Sequence, residues 1–478
     1  MTDSNIPQHT RRRYLATVGT AIAAGCSGDT PSEVQPSQNT THNPNQSSRN
    51  GSDLTILEDS EGSLSDVVSP GNVTYGDDPN WRMHGHDTGN SFINPHADGP
   101  SGSPSVQWTF ERDIFPTGSL IHHQPLIVDG TVYTYQFNVS ARDHTPVKNG
   151  NIALIRIDAK TGESETVFTT NGIREKSGTV TGIVISDGIV YLAGLGAVQA
   201  HDLDTGNELW TIRLNNSSIG VPTGMRIADD VLVVTDHQHS IDPDTREPTP
   251  RLCAVDLDTG DPLWTAPGRG RENDSVIPSF PLVADGLVHH PDKPPIRDLR
   301  SGEKLATLPA QEWPSLHDRE LYGIVNQGDT TRLMSHSWET GHQRWEYVPE
   351  KADYASCHPV VVDDTVVIIE SRRDETIEPG ESPGRCTGVN RETGERQWSV
   401  NYTSKAESEE LFWAGFRIAD SETVYIVHNG GAATAIDPTD GSIQWQVIPN
   451  GWQAARGGAL AEDLLVTVGR RGTLYGIR

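Results

Sequence analysis

At 478 residues the chain is longer than the roughly 250–300 at which one hydrophobic core stops growing, so it holds several domains or a repeat array. Hydrophobic residues at 34% and a mean hydropathy of -0.50 exclude a protein built of many membrane helices. With 37 basic residues against 65 acidic ones, a net charge of -28 repels phosphate backbones and excludes nucleic acid as the expected partner. Only seven of the basic residues are lysines. That balance suits a halophilic protein kept in solution by hydrated carboxylates, the alternative being an ordinary acidic protein outside the cytoplasm.

The N-terminus reads as an export signal. Thr10-Arg11-Arg12-Arg13-Tyr14-Leu15 precedes a mild apolar stretch, Ala16 to Ala24, and then Gly25-Cys26. A charged start, a short apolar stretch and small residues describe a cleaved signal and not a membrane span. Arg11 and Arg12 resemble a twin-arginine signal, and Ala23-Ala24-Gly25-Cys26 resembles a lipobox with Ala23 where Leu is commonest. The reading is a signal peptide over residues 1–25 and a lipid on Cys26. Residues 26–75 are rich in Ser, Thr, Asn, Gln and Pro and form the expected disordered tether, with sequons at Asn39, Asn45, Asn50 and Asn72. Residues 76–105 form an N-terminal arm.

From residue 106 onward the chain repeats itself. Ala200-His-Asp-Leu-Asp-Thr-Gly206-Asn-Glu-Leu-Trp210 returns as Ala254-Val-Asp-Leu-Asp-Thr-Gly260-Asp-Pro-Leu-Trp264. Looser copies span 335–345, 388–398 and 435–445, and copies without Trp surround Gly162 and Gly302. The seven marker glycines (162, 206, 260, 302, 341, 394 and 441) have a mean spacing of 46.5 residues. Short strands at that period predict propeller blades. A second pattern, apolar strand, Asp turn, apolar strand, occurs eight times, at Asp129, Asp187, Asp229, Asp285, Asp318, Asp363, Asp420 and Glu462. Ring closure reconciles seven with eight. Strand 473–478 has no fourth strand after it, and strand 106–110 carries an orphan Trp108. The prediction is an all-β, eight-bladed propeller of four-stranded antiparallel blades over residues 106–478, closed by pairing those two strands.

The Ala-x-Asp-x-x-Thr-Gly-x-x-x-Trp unit resembles the tryptophan-docking repeat of quinoprotein-like (PQQ-type) propellers, over about residues 80–478. The segment from Trp81 to Asn90 resembles the one that introduces such propellers. The resemblance implies packing roles between blades for Trp108, Trp210, Trp264, Trp345, Trp398 and Trp445. One branch of the family holds dehydrogenases of alcohols or sugars that carry PQQ and Ca²⁺ in a central funnel. Another holds non-catalytic lipoprotein propellers such as the BamB scaffold, and fold alone does not choose between them.

The chemistry-bearing residues favour the second branch. Cys26, Cys253, Cys357 and Cys386 include no adjacent pair, no Cys-x-x-Cys-His for haem and no zinc spacing. Cys357 and Cys386 are left open as a disulfide pair. The Asp-rich turns lack the further ligands of a calcium loop. Funnel candidates are the polar and aromatic residues near the starts of inner strands: His122, His123, Ser279, His358, Trp413, Trp452 and Arg456, with Arg417 a further cation. The expected function is a monomeric, surface-anchored scaffold for other cell-envelope proteins, with no cofactor or metal, reached by export and held to the outer face of the membrane by its lipid alone. The rival is a PQQ- and Ca²⁺-dependent dehydrogenase.

Overall fold

Short aliphatic and β-branched runs broken by Asp and Gly fold locally as antiparallel hairpins. The computed structural model describes residues 55–56, 78–111, 124–137, 152–170, 180–194, 197–213, 221–237, 250–267, 280–290, 293–308, 311–327, 330–349, 354–371, 384–401, 414–428, 432–449, 457–469 and 472–478. They form eight antiparallel sheets and, among the described residues, no α-helix. Blade 1 is Leu126–Val128, Thr131–Phe137, Ile152–Asp158 and Ser164–Thr170. Blade 2 is Val180–Ser186, Ile189–Gly194, Ala197–Asp202 and Glu208–Arg213, and blade 3 is Val221–Ala228, Val231–His237, Pro250–Asp256 and Pro262–Pro267. Blade 4 is Leu282–Ala284, Leu287–His290, Lys293–Asp298 and Lys304–Thr307. Blade 5 is Glu312–His317, Glu320–Gln327, Thr330–Ser337 and Gln343–Tyr347, and blade 6 is Tyr354–Val362, Thr365–Ser371, Gly384–Asn390 and Arg396–Asn401. Blade 7 is Ala414–Ala419, Val424–His428, Ala433–Ile436 and Ile443–Val447. Each blade's first strand touches the first strand of the next, and Gly458–Ala461 touches Leu126–Val128, so the eight form a closed ring.

Blade 8 makes the closure. Gly458–Ala461, Leu464–Val468 and Leu474–Ile477 come from the C-terminus, and Val106–Phe110 supplies the fourth strand. Val106 stands opposite Ile477 and Trp108 opposite Gly476. The Gln124 amide adds a bond from the start of blade 1 to the Gly458 carbonyl, at 2.5 Å. The eight-bladed architecture and its closing pair agree with the sequence reading.

Turn chemistry explains the repeat. In seven of the eight hairpins the first turn residue has positive φ, from 45° at Asp318 to 53° at Asp229, a region that Asp tolerates better than most side chains. The exception is Asp420. Its carboxylate accepts the Thr423 amide at 2.6 Å and also the Gly99 amide of the arm at 3.1 Å. All seven marker glycines also have positive φ, between 69° and 77°. At Gly302 a second constraint applies, because a Cβ there would lie 2.5 Å from Cγ of Trp264 in the preceding blade.

Six tryptophans sit on outer strands and donate their ring N–H to a carbonyl beyond their own blade. Trp108 donates to Ala159, Trp210 to Leu257, Trp264 to Leu299, Trp345 to Arg391 and Trp398 to Pro438, at 2.7–3.1 Å. Trp445 donates instead to Pro100 of the arm at 2.9 Å, because blade 8 is completed by the chain's two ends and has no Thr-Gly turn. Blade 1 uses Phe168, which lies against Gly206 and stacks on His201.

The seam between blades 4 and 5 is built in reverse. Leu282, His289, Ile296 and Ala306 stand opposite one another across blade 4, so Ala306 occupies the row position that Trp398 holds in blade 6. Trp338, from the Thr-Gly turn of blade 5, is fully buried in one apolar cluster with Leu282, Leu287, Ile296 and Ala306. Ala306→Trp alone is therefore expected to overpack the seam and lower the melting temperature. Adding Trp338→Leu to it should recover most of the loss; a double variant no more stable than Ala306→Trp would contradict this exchange.

Candidate functional site

A propeller's inner strands turn one unpaired edge toward the central channel, and those amides and carbonyls need partners. Residues 81–94 of the arm supply them. Trp81 and Ile127 of blade 1 exchange both backbone bonds, at 2.7 and 3.0 Å. Ile185 of blade 2 donates to the Arg82 carbonyl, Val283 of blade 4 to Thr88, and Leu316 of blade 5 to Gly89. Ala419 of blade 7 donates to the Phe92 carbonyl at 2.9 Å and accepts the Asn94 amide at 2.8 Å. The Asn94 side chain reaches the Leu460 carbonyl of blade 8 at 2.9 Å. One segment thus bonds the inner strands of six blades.

Four residues of positive φ wind the arm tightly enough to do this: Gly85, His86, Asn90 and Phe92. The Asp87 carboxylate locks the turn, accepting the Gly89 and Ser91 amides at 2.9 and 3.0 Å and the Ser91 hydroxyl at 2.5 Å. Side chains complete the filling beside the remaining blades. The His84 ring stacks on Phe280, with centroids 3.6 Å apart, and Phe92 lies 4.8 Å from His358 of blade 6.

Two buried arginines flank the arm. Arg417 donates through Nε and Nη2 to the His358 carbonyl at 3.0 and 2.7 Å, while His358 Nδ1 lies 2.8 Å from the Pro314 carbonyl of blade 5. Arg226 donates from Nη1 to the Met225 carbonyl at 2.7 Å and lies over the Phe280 ring at 5.0 Å. Burial pushes its pKa down to about 9, opposed by the Asp87 carboxylate. Both belong to an Arg-Ile-Ala-Asp string, 226–229 in blade 3 and 417–420 in blade 7, which a ring of eight sets opposite each other. That repeated string was a signal for Arg226, which the sequence reading did not single out.

Of the funnel candidates, the structure brings His358 and Arg417 together beside the arm. His122, His123, Ser279, Trp413, Trp452 and Arg456 lie outside the described residues, as do the Arg11–Arg12 pair and Cys26. The open disulfide pairing is not formed. Cys386 is a free thiol, fully buried in blade 6, and burial pushes its pKa up to about 12; Cys253 in blade 3 is likewise free and pushed up to about 11. Such raised thiols are inert nucleophiles. A trap of about 10 Å³ remains beside the arm, lined by His84, Gln124, Tyr135, Met225 and Phe280 among others, which is room for about one water.

The described channel does not fit PQQ. A flat tricarboxylate needs several free cationic donors and commonly a metal. Here the arm fills the space, Arg417 is engaged with His358, and no group of three or more His, Cys, Asp or Glu side chains that could hold a metal occurs among the described residues.

Charge is distributed as unevenly as the contacts. Hairpin turns and Thr-Gly turns lie at the same end of every antiparallel blade, and they bond to each other, as Leu203 does to Gly188 and Arg391 to Asp364. The eight hairpin turns hold twelve acidic residues and the seven Thr-Gly turns ten, against four basic residues in all. Among the described residues, that end of the blades is therefore strongly acidic.

Repeat, closure and docking geometry define a PQQ-like β-propeller repeat protein. Residues 156–312 and 298–457 match the family described as outer membrane protein assembly factor BamB, and the chain belongs to that family. Among solved structures it is similar to the quinohemoprotein alcohol dehydrogenase of Comamonas testosteroni, at 12% identity over 84% of this chain and 80% of that one, TM-score 0.55. It is also similar to the computationally designed Ika8 protein, at 14% identity over 77% and 99%, TM-score 0.51. BamB from Moraxella catarrhalis aligns at 14% identity over 78% and 99%, TM-score 0.49. The first two likenesses speak to the fold alone. No curated protein matches the chain significantly.

Proposed function

We infer that the protein is a non-catalytic scaffold, a monomeric propeller that holds other proteins of the cell envelope together. The carrying observation is the arm. By bonding the inner strands of six blades it occupies the channel in which a funnel cofactor would sit, so the surfaces left for recognition are the rim, the loops and the two faces. Membership of a family described by an envelope-assembly factor supports the same reading. The acid-rich turn face suits solubility in concentrated salt and points to a halophilic source.

Anchoring completes the proposal. Residues 1–25 direct export by the twin-arginine route through Arg11 and Arg12, Cys26 carries the lipid, and residues 26–75 act as the tether. The protein then resides on the outer face of the membrane. Cys26→Ser is expected to release it into the medium, read by fractionation; retention at the membrane would show another anchor. Arg11→Lys with Arg12→Lys should leave folded precursor in the cytoplasm, and unchanged export would rule out that route. The scaffold role is tested by cross-linking whole cells in their growth salt, then capturing the tagged protein from membranes. Reproducible enrichment of envelope proteins is expected. A capture that yields the propeller alone would defeat the reading.

A further inference from the structure

Blade 4 differs from the other seven in a way the propeller does not require. Its strands are among the shortest, its outer strand carries Ala306 in place of a docking Trp, and it alone among the described sheets has a fifth strand. That strand is Thr55–Ile56, from the segment read as a disordered tether. It pairs antiparallel with the outer edge, Thr55 opposite Thr307 and Ile56 opposite Ala306. Lys304–Thr307 is four residues long, so half of that edge lies beyond the resident strand.

We propose that the outer edge of blade 4 is a strand-acceptor site for an extended, β-branched and apolar peptide, with the chain's own Thr55–Ile56 as its resident ligand. An open edge presents amides and carbonyls that recruit any strand of matching register, and main-chain bonds give such a site its affinity. The resident strand is weakly held. A ladder of two residues contributes so few net backbone bonds that its occupancy exceeds its release by a ratio on the order of ten. A partner strand covering Lys304 and Leu305 as well pairs with the whole edge and displaces it. The chemistry of a competitor is given by the resident pair, Thr55-Ile56, both of them β-branched residue types suited to a strand. The site works as a clip. Occupied by the chain's own Thr55–Ile56, it is closed to other strands; vacated, it offers the whole edge Lys304–Thr307.

The test uses the full-length protein and its Thr55→Pro/Ile56→Pro variant, because proline cannot donate to a ladder. A fluorescent peptide of residues 52–59 is titrated into each, with a scrambled peptide as control. The variant is expected to bind the peptide about ten-fold more tightly than the parent, since its resident competitor is gone. Amide exchange at the one of Ala306 and Thr307 whose N–H faces the outer edge should be slower in the parent than in the variant. Equal affinity for the two proteins, absence of binding to both, equal binding of the scrambled peptide, or identical exchange at that amide would each overturn the proposal. The outcome is independent of the scaffold reading, which is decided by capture from membranes and not by this peptide.

Discussion

Removal of residues 473–478 is expected to destroy the monomeric ring. Leu474 and Ile477 are fully buried and Tyr475 nearly so, and each such side chain contributes about 1.5–3 kcal/mol by burial alone. The loss also unpairs Val106–Phe110 and strips Trp108 of its neighbour Gly476. Together these approach the whole of a domain's net stability of about 5–15 kcal/mol. Two strand edges are exposed at once, at Leu464–Val468 and at Val106–Phe110, and open edges recruit other chains. Size-exclusion chromatography with light scattering should show soluble aggregate or nothing soluble. A truncated protein that stays monomeric with an unchanged melting temperature would contradict closure by this pair.

Mild acid is the second lever. His289, His336 and His428 are buried, and desolvation pushes each pKa down to about 4, with His336 adding to the effect on His289. Unfolded, they titrate near 6.5. Above that pH they are neutral in both states and cost nothing. As pH falls from about 6.5 to 4 the unfolded chain takes up protons that the folded one refuses, so stability drops throughout that window and the loss is complete below it. Each group is worth up to about 3 kcal/mol, and three of them rival the stability of the domain. Calorimetry at constant salt should show the melting temperature falling steeply between pH 6.5 and pH 4.5. His289→Leu, which places an aliphatic group beside Leu282 and Ile296, should flatten the slope by about a third. A melting temperature constant over that window would refute this origin of acid sensitivity.

Much of the fold was legible because the information is repeated. A Thr-Gly turn needs positive φ in seven of the eight blades, and an Asp turn opens nearly every hairpin, so seven or eight noisy copies yield one clear count. Closure was legible for the opposite reason, since Trp108 stood alone with no turn before it. The channel was not legible, because its contacts occur once. Asn94 meets the Leu460 carbonyl across 366 residues of sequence, and no periodicity carries that pairing. Trp338 was obscured by its position inside a turn, where the repeat normally places a small or aliphatic residue. Thr55–Ile56 was hidden by composition, since a polar stretch can still hold two residues that fit an open edge. At Asp420 local turn chemistry gave way to the arm, which uses the same carboxylate to hold Gly99.

The central claim is that this propeller works through its surfaces and not through a cofactor in its channel. Isothermal titration of the full-length protein with PQQ in the presence of Ca²⁺ tests it most directly. No saturable binding is predicted, because His84, Phe92 and Asn94 occupy the channel and Arg417 is held by the His358 carbonyl. Binding of one PQQ per chain, lost in Arg456→Ala, would contradict the account and return the protein to the dehydrogenases.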